Sequence, residues 1–267
     1  KQLSNKKIFL IGFLLALSVF TKETGALFLL LVIAYRYLFK LGKVRIFLLT
    51  GALLTLFYFF VRIVIGGVTY SVLRDVTITS LSFGERLLTM PAVFIYYLKT
   101  FIFPANLIVW QMWVIKTASF DNFFVPLITL SIIFILLLGG VFILRKKTAY
   151  IFFLFWFPIG MGILLQIVPL DMTVADRWFY FPIVGLLGMI GIVLNRFQFK
   201  QNFFKYAAIL LCFSILAVFS IRTIVRNADW RDGITLYSHD TKTQTNSLLE
   251  NNYGLALLRE KKYKEAK

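Results

Sequence analysis

Five stretches of this chain are long and apolar enough to require lipid around them. A helix needs about 20 apolar residues to cross the hydrocarbon core of a bilayer. Stretches of this kind lie at 46–65, 125–144, 150–168, 178–194 and 206–221. Hydrophobic residues make up 60% of the 267 residues, against about half in a soluble domain. We therefore predict an all-α fold, that of a polytopic helical membrane protein.

A further apolar region, residues 8–39, does not fit a single span. As one helix it would be about 48 Å long, well beyond a hydrocarbon core of about 30 Å. A polar break, residues 21–25, lies near its middle and contains Lys22 and Glu23. We predict two short helices that meet at this break, which brings the total to about seven membrane helices.

Residues 66–124 need a different explanation, because the neighbouring spans require them to begin and end on the same side of the membrane. Residues 86–103 predict a helix, with Pro91 near its first turn and Pro104 just past its end. Two tyrosines and a lysine make this helix more amphipathic than a lipid-immersed span. We predict an interfacial or re-entrant helix. A helical hairpin with 107–115 as its second arm is the alternative.

Basic residues between the spans predict the orientation. Net charge is +17, from 29 Lys+Arg against 12 Asp+Glu, and many of the bases lie in short loops, as is typical of cytoplasmic anchors near anionic lipid. These bases are Lys40, Lys43, Arg45, residues 145–147, Arg196, Lys200 and Lys205. The predicted outer face then carries residues 66–124, residues 169–177 and the tail after Arg222. It is periplasmic or extracellular for a bacterial inner (plasma) membrane, and luminal for a eukaryotic ER membrane.

Composition also argues against two classes of site. The bases are not interleaved with aromatic residues on a polar surface, so we predict no nucleic-acid partner. His239 and Cys212 are the only histidine and the only cysteine, which argues against a zinc site. Four loop carboxylates offer the oxygen ligands that hard cations prefer, but their spacing forms no site and we interpret them as solvated. They are Asp75, Glu85, Asp121 and Asp171.

The chain becomes polar after Arg222. Gly254, Tyr263 and Ala266 follow one another at offsets of nine and three, the spacing of a tetratricopeptide repeat's first helix, turn and second-helix start. We predict a membrane domain at 1–225 and, at 226–267, a linker and the truncated first repeat of an α-solenoid. Because a lone repeat cannot bury its apolar face, and because the chain lacks an initial methionine, we interpret it as an internal fragment.

Four segments, in this order along the chain, resemble one family. They are Thr21-Lys-Glu-Thr-Gly25; Arg86-Leu-Leu-Thr89 with Tyr97 and Phe103-Pro104; Val174-Ala-Asp-Arg-Trp-Phe-Tyr-Phe-Pro182; and Arg226-Asn227 with Trp230 and Leu236-Tyr237. Together they resemble the transmembrane and tetratricopeptide-repeat O-mannosyltransferases, which are multispanning glycosyltransferases of the C superfamily (GT-C). The resemblance implies a GT-C-like membrane domain. It also implies transfer of a sugar, with mannose favoured, from polyprenyl or dolichyl phosphate to protein Ser/Thr hydroxyls on the non-cytoplasmic face.

The resemblance further implies partners and a missing catalytic group. In that superfamily an acidic residue of the first external loop acts as the base, and this loop would lie upstream of Lys1. The implied partners are membrane lipid, the polyprenyl-phosphate donor and protein acceptors held by the repeats, with no metal or other cofactor assigned. The family's Glu before Arg is Asp176 here, which shortens its reach by one methylene.

A polyprenyl-phosphate sugar needs a cation for its phosphate at the membrane interface. Arg177 offers a planar, permanently charged fork for phosphate oxygens, with Asp176 to orient it. Lys22, between two short helices, is the second candidate, and Arg86 is the third. Glu23 has three possible roles: pairing with Lys22, contacting the sugar, or tying the two helices together. The alternatives are lipid anchoring of Arg177 paired with its neighbour, and a structural role for Arg86.

Two other functions fit an apolar chain with a repeat tail. A lipid or solute transporter predicts paired, discontinuous helices in two similar halves, whereas this sequence has one such break and no internal repeat. A non-enzymatic, membrane-anchored repeat scaffold predicts no need for Lys22 or Arg177.

Overall fold

The computed structural model describes residues 4–68, 78–144, 147–196 and 202–267. Asp75, two residues of the basic run at 145–147, and Lys200 lie outside these ranges. The helices are α1 (Asn5–Thr21), α2 (Ala26–Leu38), α3 (Val44–Phe60), α4 (Phe83–Ile102), α5 (Val125–Ile143), α6 (Lys147–Leu164), α7 (Tyr180–Leu194), α8 (Asn202–Asp229), α9 (Gly233–Thr243) and α10 (Ser247–Arg259). Extended pairing within the described residues is limited to one antiparallel bridge. The predicted all-α fold is confirmed.

Five helical segments of the described chain are long and apolar enough to cross a membrane. They are Val44–Ile65, Phe120–Ile143, Lys147–Leu164, Asp176–Leu194 and Asn202–Asp229. These are the five predicted spans. Their apolar side chains are widely exposed, for example Phe142 at 82% and Leu136 at 69%, and a helix that is apolar on all sides belongs in lipid or in a protein core. The chain is therefore an integral membrane protein.

The polar break at 21–25 separates α1 from α2, as predicted. Lys22 ends α1 in an extended conformation (φ −158°, ψ 145°), and Glu23–Gly25 forms a single 3-10 turn. Gly25 is buried, and a Cβ on it would lie 2.1 Å from the Ser18 carbonyl oxygen. Only glycine lets this 3-10 turn approach α1 so closely. The close approach allows α1, α2 and α3 to pack together.

α6 ends four residues earlier than the predicted span at 150–168. The cause is Gln166, which adopts the left-handed conformation (φ 60°) and is fully buried. Its amide nitrogen donates to the carbonyl oxygens of Met172 and Thr173, both at 2.9 Å, and its amide oxygen accepts from the Leu170 N–H at 2.9 Å. A single side chain therefore organises the loop that leads to Asp176.

α4 begins three residues before the predicted helix at 86–103. Ser82 caps it: the Ser82 hydroxyl accepts from the Glu85 N–H at 3.3 Å, and the Glu85 carboxylate accepts from the Ser82 N–H at 2.7 Å. This reciprocal pair is a capping box. Glu85 is exposed, as interpreted from the sequence, but it lies in the first turn of α4 and not in a loop. Hydrogen bonds from Ser82 lower the pKa of Glu85. Pro91 consequently lies inside the helix rather than near its first turn.

The alternative of a helical hairpin is also wrong, because residues 107–115 are not helical. They belong to a loop, residues 103–119, that runs between α4 and the π-helical turn Phe120–Phe124 before α5. α4 itself is not among the membrane-crossing segments of the described chain. Its position in the interface, like the sidedness of every loop, stays a prediction.

The polar tail begins as a continuation of a membrane helix. α8 has 28 residues and runs without interruption past residue 225 to Asp229. α9 and α10 pack against each other, and α9 contacts α8. Gly254 lies on α10, while Tyr263 and Ala266 lie in the turns after it. The division into domains at 225 and the tetratricopeptide repeats stay predictions.

By packing, the chain forms two compact units. The first comprises the described residues of Lys1–Leu73, Ile133–Ile163 and Phe181–Val193. The second comprises those of Arg74–Ile132, Leu164–Tyr180 and Leu194–Lys267. Lys22 and Glu23 therefore belong to the first unit, and Arg86, Asp176 and Arg177 belong to the second.

Replacing Gly25 with alanine is expected to lower the free energy of unfolding by about 1–3 kcal/mol, because the added Cβ would overlap backbone atoms of α1. Gly139→Ala in α5 is the matched control, since its Cβ would meet nothing within 4 Å. The thermal unfolding of both variants in detergent tests this. Equal unfolding temperatures would contradict the close approach at Gly25.

Candidate functional site

The backbone that leads into Asp176 is held by the loop at 103–119. Val174 pairs with Gln111 in the antiparallel bridge, and the Thr173 N–H donates to the Gln111 carbonyl oxygen at 2.8 Å. The Thr173 hydroxyl donates to the Trp113 carbonyl oxygen at 2.6 Å. Both Thr173 and Val174 are fully buried. The segment before Asp176 is therefore fixed by hydrogen bonds to a partner about 60 residues earlier in the chain.

Tyr97 of α4 holds the residue just before Asp176. Its hydroxyl donates to the Ala175 carbonyl oxygen at 3.2 Å and accepts from the Ala175 N–H at 3.1 Å. Its ring stacks on Phe179 with centroids 5.1 Å apart. Asp176 and Phe179 bound the 3-10 turn that leads into α7, so α4 fixes both ends of that turn. Burial raises the pKa of Tyr97, and the phenol is neutral at physiological pH.

Asp176 is held by a chain of side-chain hydrogen bonds. The Tyr96 hydroxyl donates to the Asp176 Oδ1 at 2.6 Å, and the Gln111 Nε2 donates to the Tyr96 hydroxyl oxygen, also at 2.6 Å. The Trp113 Nε1 donates to the Gln111 Oε1 at 3.2 Å. Burial, the charge of Asp176 and the hydrogen bond to it all raise the pKa of Tyr96. No sequence pattern indicates this contact, because it joins residues 80 apart.

Arg177 is exposed and does not pair with its neighbour. Its guanidinium lies over the Trp178 ring, 5.8 Å from the centroid, a contact typically worth about 0.5–1 kcal/mol at an exposed site. Across the described residues it makes no hydrogen bond or ion pair. Asp176 forms no ion pair with Arg177 in the described part of the chain, and its Oδ1 accepts from Tyr96. That Asp176 orients Arg177 stays a prediction.

Arg86 makes three hydrogen bonds to backbone carbonyl oxygens. They run from Nε to Gln166 at 3.0 Å, from Nη1 to Leu81 at 2.6 Å and from Nη2 to Ile167 at 3.4 Å. Arg86 lies ten residues before Tyr96 on α4, which is about 15 Å along the helix axis. These contacts favour the anchoring role over phosphate binding, and the ligand role of Arg86 stays a prediction.

Glu23 and Lys22, the two candidate ligand-binding residues of the first unit, differ in their contacts. Glu23 forms an ion pair with Arg62, the basic residue within the span formed by α3 and its terminal turn. Arg62 also donates to the Tyr58 hydroxyl. Glu23 therefore ties the break to α3 rather than pairing with Lys22. Lys22 is exposed, and its ammonium group has no ion-pair partner within the described chain.

A buried ion pair in the second unit was missed by the sequence analysis. Arg226 at the end of α8 donates from Nη1 to the Asp240 Oδ1 at 3.0 Å, and the two side chains are 8% and 0% exposed. The Val109 N–H also donates to the Asp240 Oδ2, at 2.8 Å. Asp229 and His239 complete the cluster around Arg226. This cluster joins α8 and α9 to the loop at 103–119.

One sequence signal for this pair exists in retrospect. Asp240 lies four residues after Leu236 on α9, so the two side chains share a helix face. Leu236 is 7% exposed, which shows that the face is buried. A carboxylate on a buried face requires a cation, and Arg226 is the nearest basic residue before α9 that lies on a helix. Within the described ranges no group of three or more His, Cys, Asp or Glu side chains could hold a metal ion.

Part of the chain is similar to two proteins of known name. Over 96 residues, 36% of this chain and 10% of the relative, it is 37% identical to protein O-mannosyl-transferase Tmtc2 of Drosophila melanogaster. Over 99 residues, 37% of this chain and 11% of the relative, it is 33% identical to protein O-mannosyl-transferase TMTC3 of Homo sapiens. The chain thus spans about a tenth of the length of these curated relatives. Over about a third of the chain, the matches support a resemblance to protein O-mannosyltransferases.

No protein-family profile matches the chain. No solved structure matches it either.

Asp240→Asn is expected to lower the free energy of unfolding by about 3 kcal/mol, because it leaves Arg226 buried without its main counter-charge. Asp232→Asn is the matched control in the same unit. Asp232 is exposed and caps α9, and Asn is an equally good cap, so this variant should unfold at nearly the wild-type temperature. Denaturant unfolding of both variants provides the measurement. If Asp240→Asn lowered the free energy of unfolding no more than Asp232→Asn does, the ion pair would add little to stability.

Tyr96→Phe is expected to weaken the loss of stability at alkaline pH. The pKa of Tyr96 is raised in the folded state above its unfolded value of about 10. The resulting stabilisation is complete below about pH 10 and is lost as pH rises towards the folded-state pKa. Unfolding temperatures between pH 8 and pH 11 should therefore fall less steeply for Tyr96→Phe than for wild type. The exposed residue Tyr263 supplies the control, Tyr263→Phe, and a wild-type slope in both variants would refute the expectation.

Proposed function

We propose that this chain is part of a membrane glycosyltransferase that moves mannose from polyprenyl or dolichyl phosphate to protein Ser/Thr hydroxyls on the non-cytoplasmic face. The observation that carries the proposal is the state of Arg177. Its guanidinium is exposed at the start of an apolar span, and it forms no ion pair with the neighbouring carboxylate, whose Oδ1 accepts from Tyr96. The names of the two relatives, both protein O-mannosyl-transferases, support the same reaction.

The proposed donor has three parts with different solvent preferences. Its isoprenoid tail belongs in lipid, its phosphate at the interface and its sugar in water. The residues that follow Arg177 continue directly into the apolar helix α7. We propose that the N-terminal end of α7 lies at the membrane interface. A guanidinium fork binds phosphate oxygens through charge-assisted hydrogen bonds. Because the phosphate leaves with the electrons of the glycosidic bond, a cation beside it stabilises the transition state.

Lys22 is the second proposed cation for a lipid phosphate. Glu23 pairs with Arg62, so the neighbouring carboxylate does not neutralise the Lys22 ammonium group. Lys22 also ends α1 in an extended conformation, which interrupts an otherwise apolar region. Arg86 is left out of the proposal, because its guanidinium is bonded to carbonyl oxygens.

The reaction also needs a surface that holds the acceptor protein and a base that deprotonates the acceptor hydroxyl. We propose that α9, α10 and the repeats expected to follow them hold protein acceptors near the membrane surface. The acceptor hydroxyl must lose its proton as it attacks the sugar. No residue of this chain is assigned as the base for that step.

Arg177→Ala in the intact protein is expected to lower kcat/KM for mannose transfer by about 100-fold, the typical effect of removing one transition-state donor. Arg177→Lys keeps the charge but loses the fork, so it should retain an intermediate rate. Transfer of labelled mannose from dolichyl-phosphate mannose to an acceptor peptide in proteoliposomes measures this. Lys205→Ala is the control. It also removes one positive charge, but from the first turn of α8, and it should leave the rate unchanged.

Lys22→Ala belongs in the same assay and is expected to lower kcat/KM by about tenfold, the effect of losing one charged phosphate contact of roughly 1.4 kcal/mol. Wild-type rates in both Lys22→Ala and Arg177→Ala would remove both site assignments. The absence of any transfer by the intact wild-type protein would favour a membrane scaffold over an enzyme.

A further inference from the structure

The hydrogen bonds that end on Asp176 all point the same way. The Gln111 Oε1 accepts from the Trp113 indole, so the amide of Gln111 must present its nitrogen to the Tyr96 oxygen. The Tyr96 hydroxyl then has to donate its own proton, and it does so to the Asp176 Oδ1. The chain of donors therefore fixes which oxygen of Asp176 is held and from which side.

The second carboxylate oxygen of Asp176 is left open. Throughout the described residues, no buried side-chain nitrogen or oxygen lacks a hydrogen-bond partner. The Oδ2 of Asp176 makes no hydrogen bond to those residues, so it must be accessible from outside. An ionised carboxylate oxygen is an acceptor only. The site thus offers one immobilised, accessible acceptor on the residue that precedes the exposed Arg177.

A glycosyl phosphate needs this pair of groups side by side. Its phosphate is joined to the sugar through a single oxygen, so the nearest sugar hydroxyls lie within a few bonds of the anion. A cation that binds the phosphate therefore places those hydroxyls near its immediate neighbours. A hydroxyl donates readily to a carboxylate, and hydrogen bonds to charged groups are the strong ones.

We propose that Asp176 accepts a hydrogen bond from a hydroxyl of the sugar on the lipid phosphate, and that Tyr96 and Gln111 are positioning residues that hold its carboxylate for this contact. The proposal rests on the function proposed above and adds a sugar subsite to it. Tyr96 and Gln111 do not touch the sugar. They act because the terminal torsion of an aspartate is broad, and a donor on one oxygen fixes where the other oxygen points.

This subsite gives the protein a way to distinguish the sugar-bearing donor from the lipid phosphate that remains after transfer. Arg177 contacts the phosphate, which both molecules have. Asp176 contacts the sugar, which only the donor has. A site built to hydrogen-bond a hydroxyl discriminates strongly against a ligand that lacks it. The carrier that remains after transfer would therefore be held less tightly than the donor that replaces it.

The test compares two ligands in nanodiscs, dolichyl-phosphate mannose and dolichyl phosphate, with the intact protein. Tyr96→Phe and Asp176→Asn are expected to weaken binding of dolichyl-phosphate mannose by about tenfold, as for one hydrogen bond to a charged group of roughly 1.4 kcal/mol. Neither variant should change binding of dolichyl phosphate. Arg177→Ala should weaken the binding of both.

Tyr150→Phe is the matched control. It removes a buried hydroxyl that donates to the Leu137 carbonyl oxygen at 2.9 Å and does not contact the segment that leads into Asp176. It should leave the ratio of the two affinities at the wild-type value, even if it lowers stability. A purely structural role of Tyr96 would move this control and Tyr96→Phe alike.

Three binding results would overturn the subsite. They are equal weakening of both ligands by Tyr96→Phe, no weakening of either ligand, and a Tyr150→Phe ratio that shifts as much as that of Tyr96→Phe. A change confined to the KM of the acceptor peptide would assign Asp176 to the acceptor and would likewise overturn it. Failure of the proposed function is separate, since Arg177→Ala would then leave the affinity for both ligands unchanged.

Discussion

The Tyr97 hydroxyl, which binds both backbone polar groups of Ala175, is the contact on which the arrangement around Asp176 depends. Next to a hydrocarbon phase an unpaired backbone group costs several kcal/mol, and the loop before α7 cannot satisfy its own groups by helix formation. The side chains of Tyr97 and Gln166 and the backbone carbonyl of Gln111 supply the missing partners. All three residues are buried, so water does not compete for these hydrogen bonds.

Hydropathy predicted the spans because the cost of exposing a backbone to lipid fixes the minimum length of a membrane helix. The capping box at Ser82 and Glu85 was also readable from its S-x-x-E spacing. The left-handed Gln166 was not, because its conformation is stabilised by contacts with residues that follow the helix. The pairs of Tyr96 with Asp176 and of Arg226 with Asp240 depend on tertiary packing. The sequence contains no local signal for the first pair. For the second, the carboxylate of Asp240 on the buried face of α9 indicates that a cation is needed but does not identify it.

The arginines of this chain show why residue type alone does not identify a phosphate site. Arg36 donates to the carbonyl oxygens of Leu41 and Gly42, and Arg222 donates to those of Pro104 and Ala105. The last turn of a helix and the loop after it leave carbonyl oxygens without partners, and a guanidinium satisfies several at once. Arg177 differs from both, because it precedes its helix, where the backbone presents N–H groups rather than carbonyl oxygens.

The uninterrupted course of α8 has a mechanical consequence. A helix of 28 residues is about 42 Å long, roughly 12 Å more than the hydrocarbon core. Its projecting end is clamped to α9 through Arg226 and Asp240. The tail is consequently not tethered by a flexible hinge but stands on a rigid stalk. Bilayer thickness and the tilt of that stalk would then set the height at which the tail is displayed.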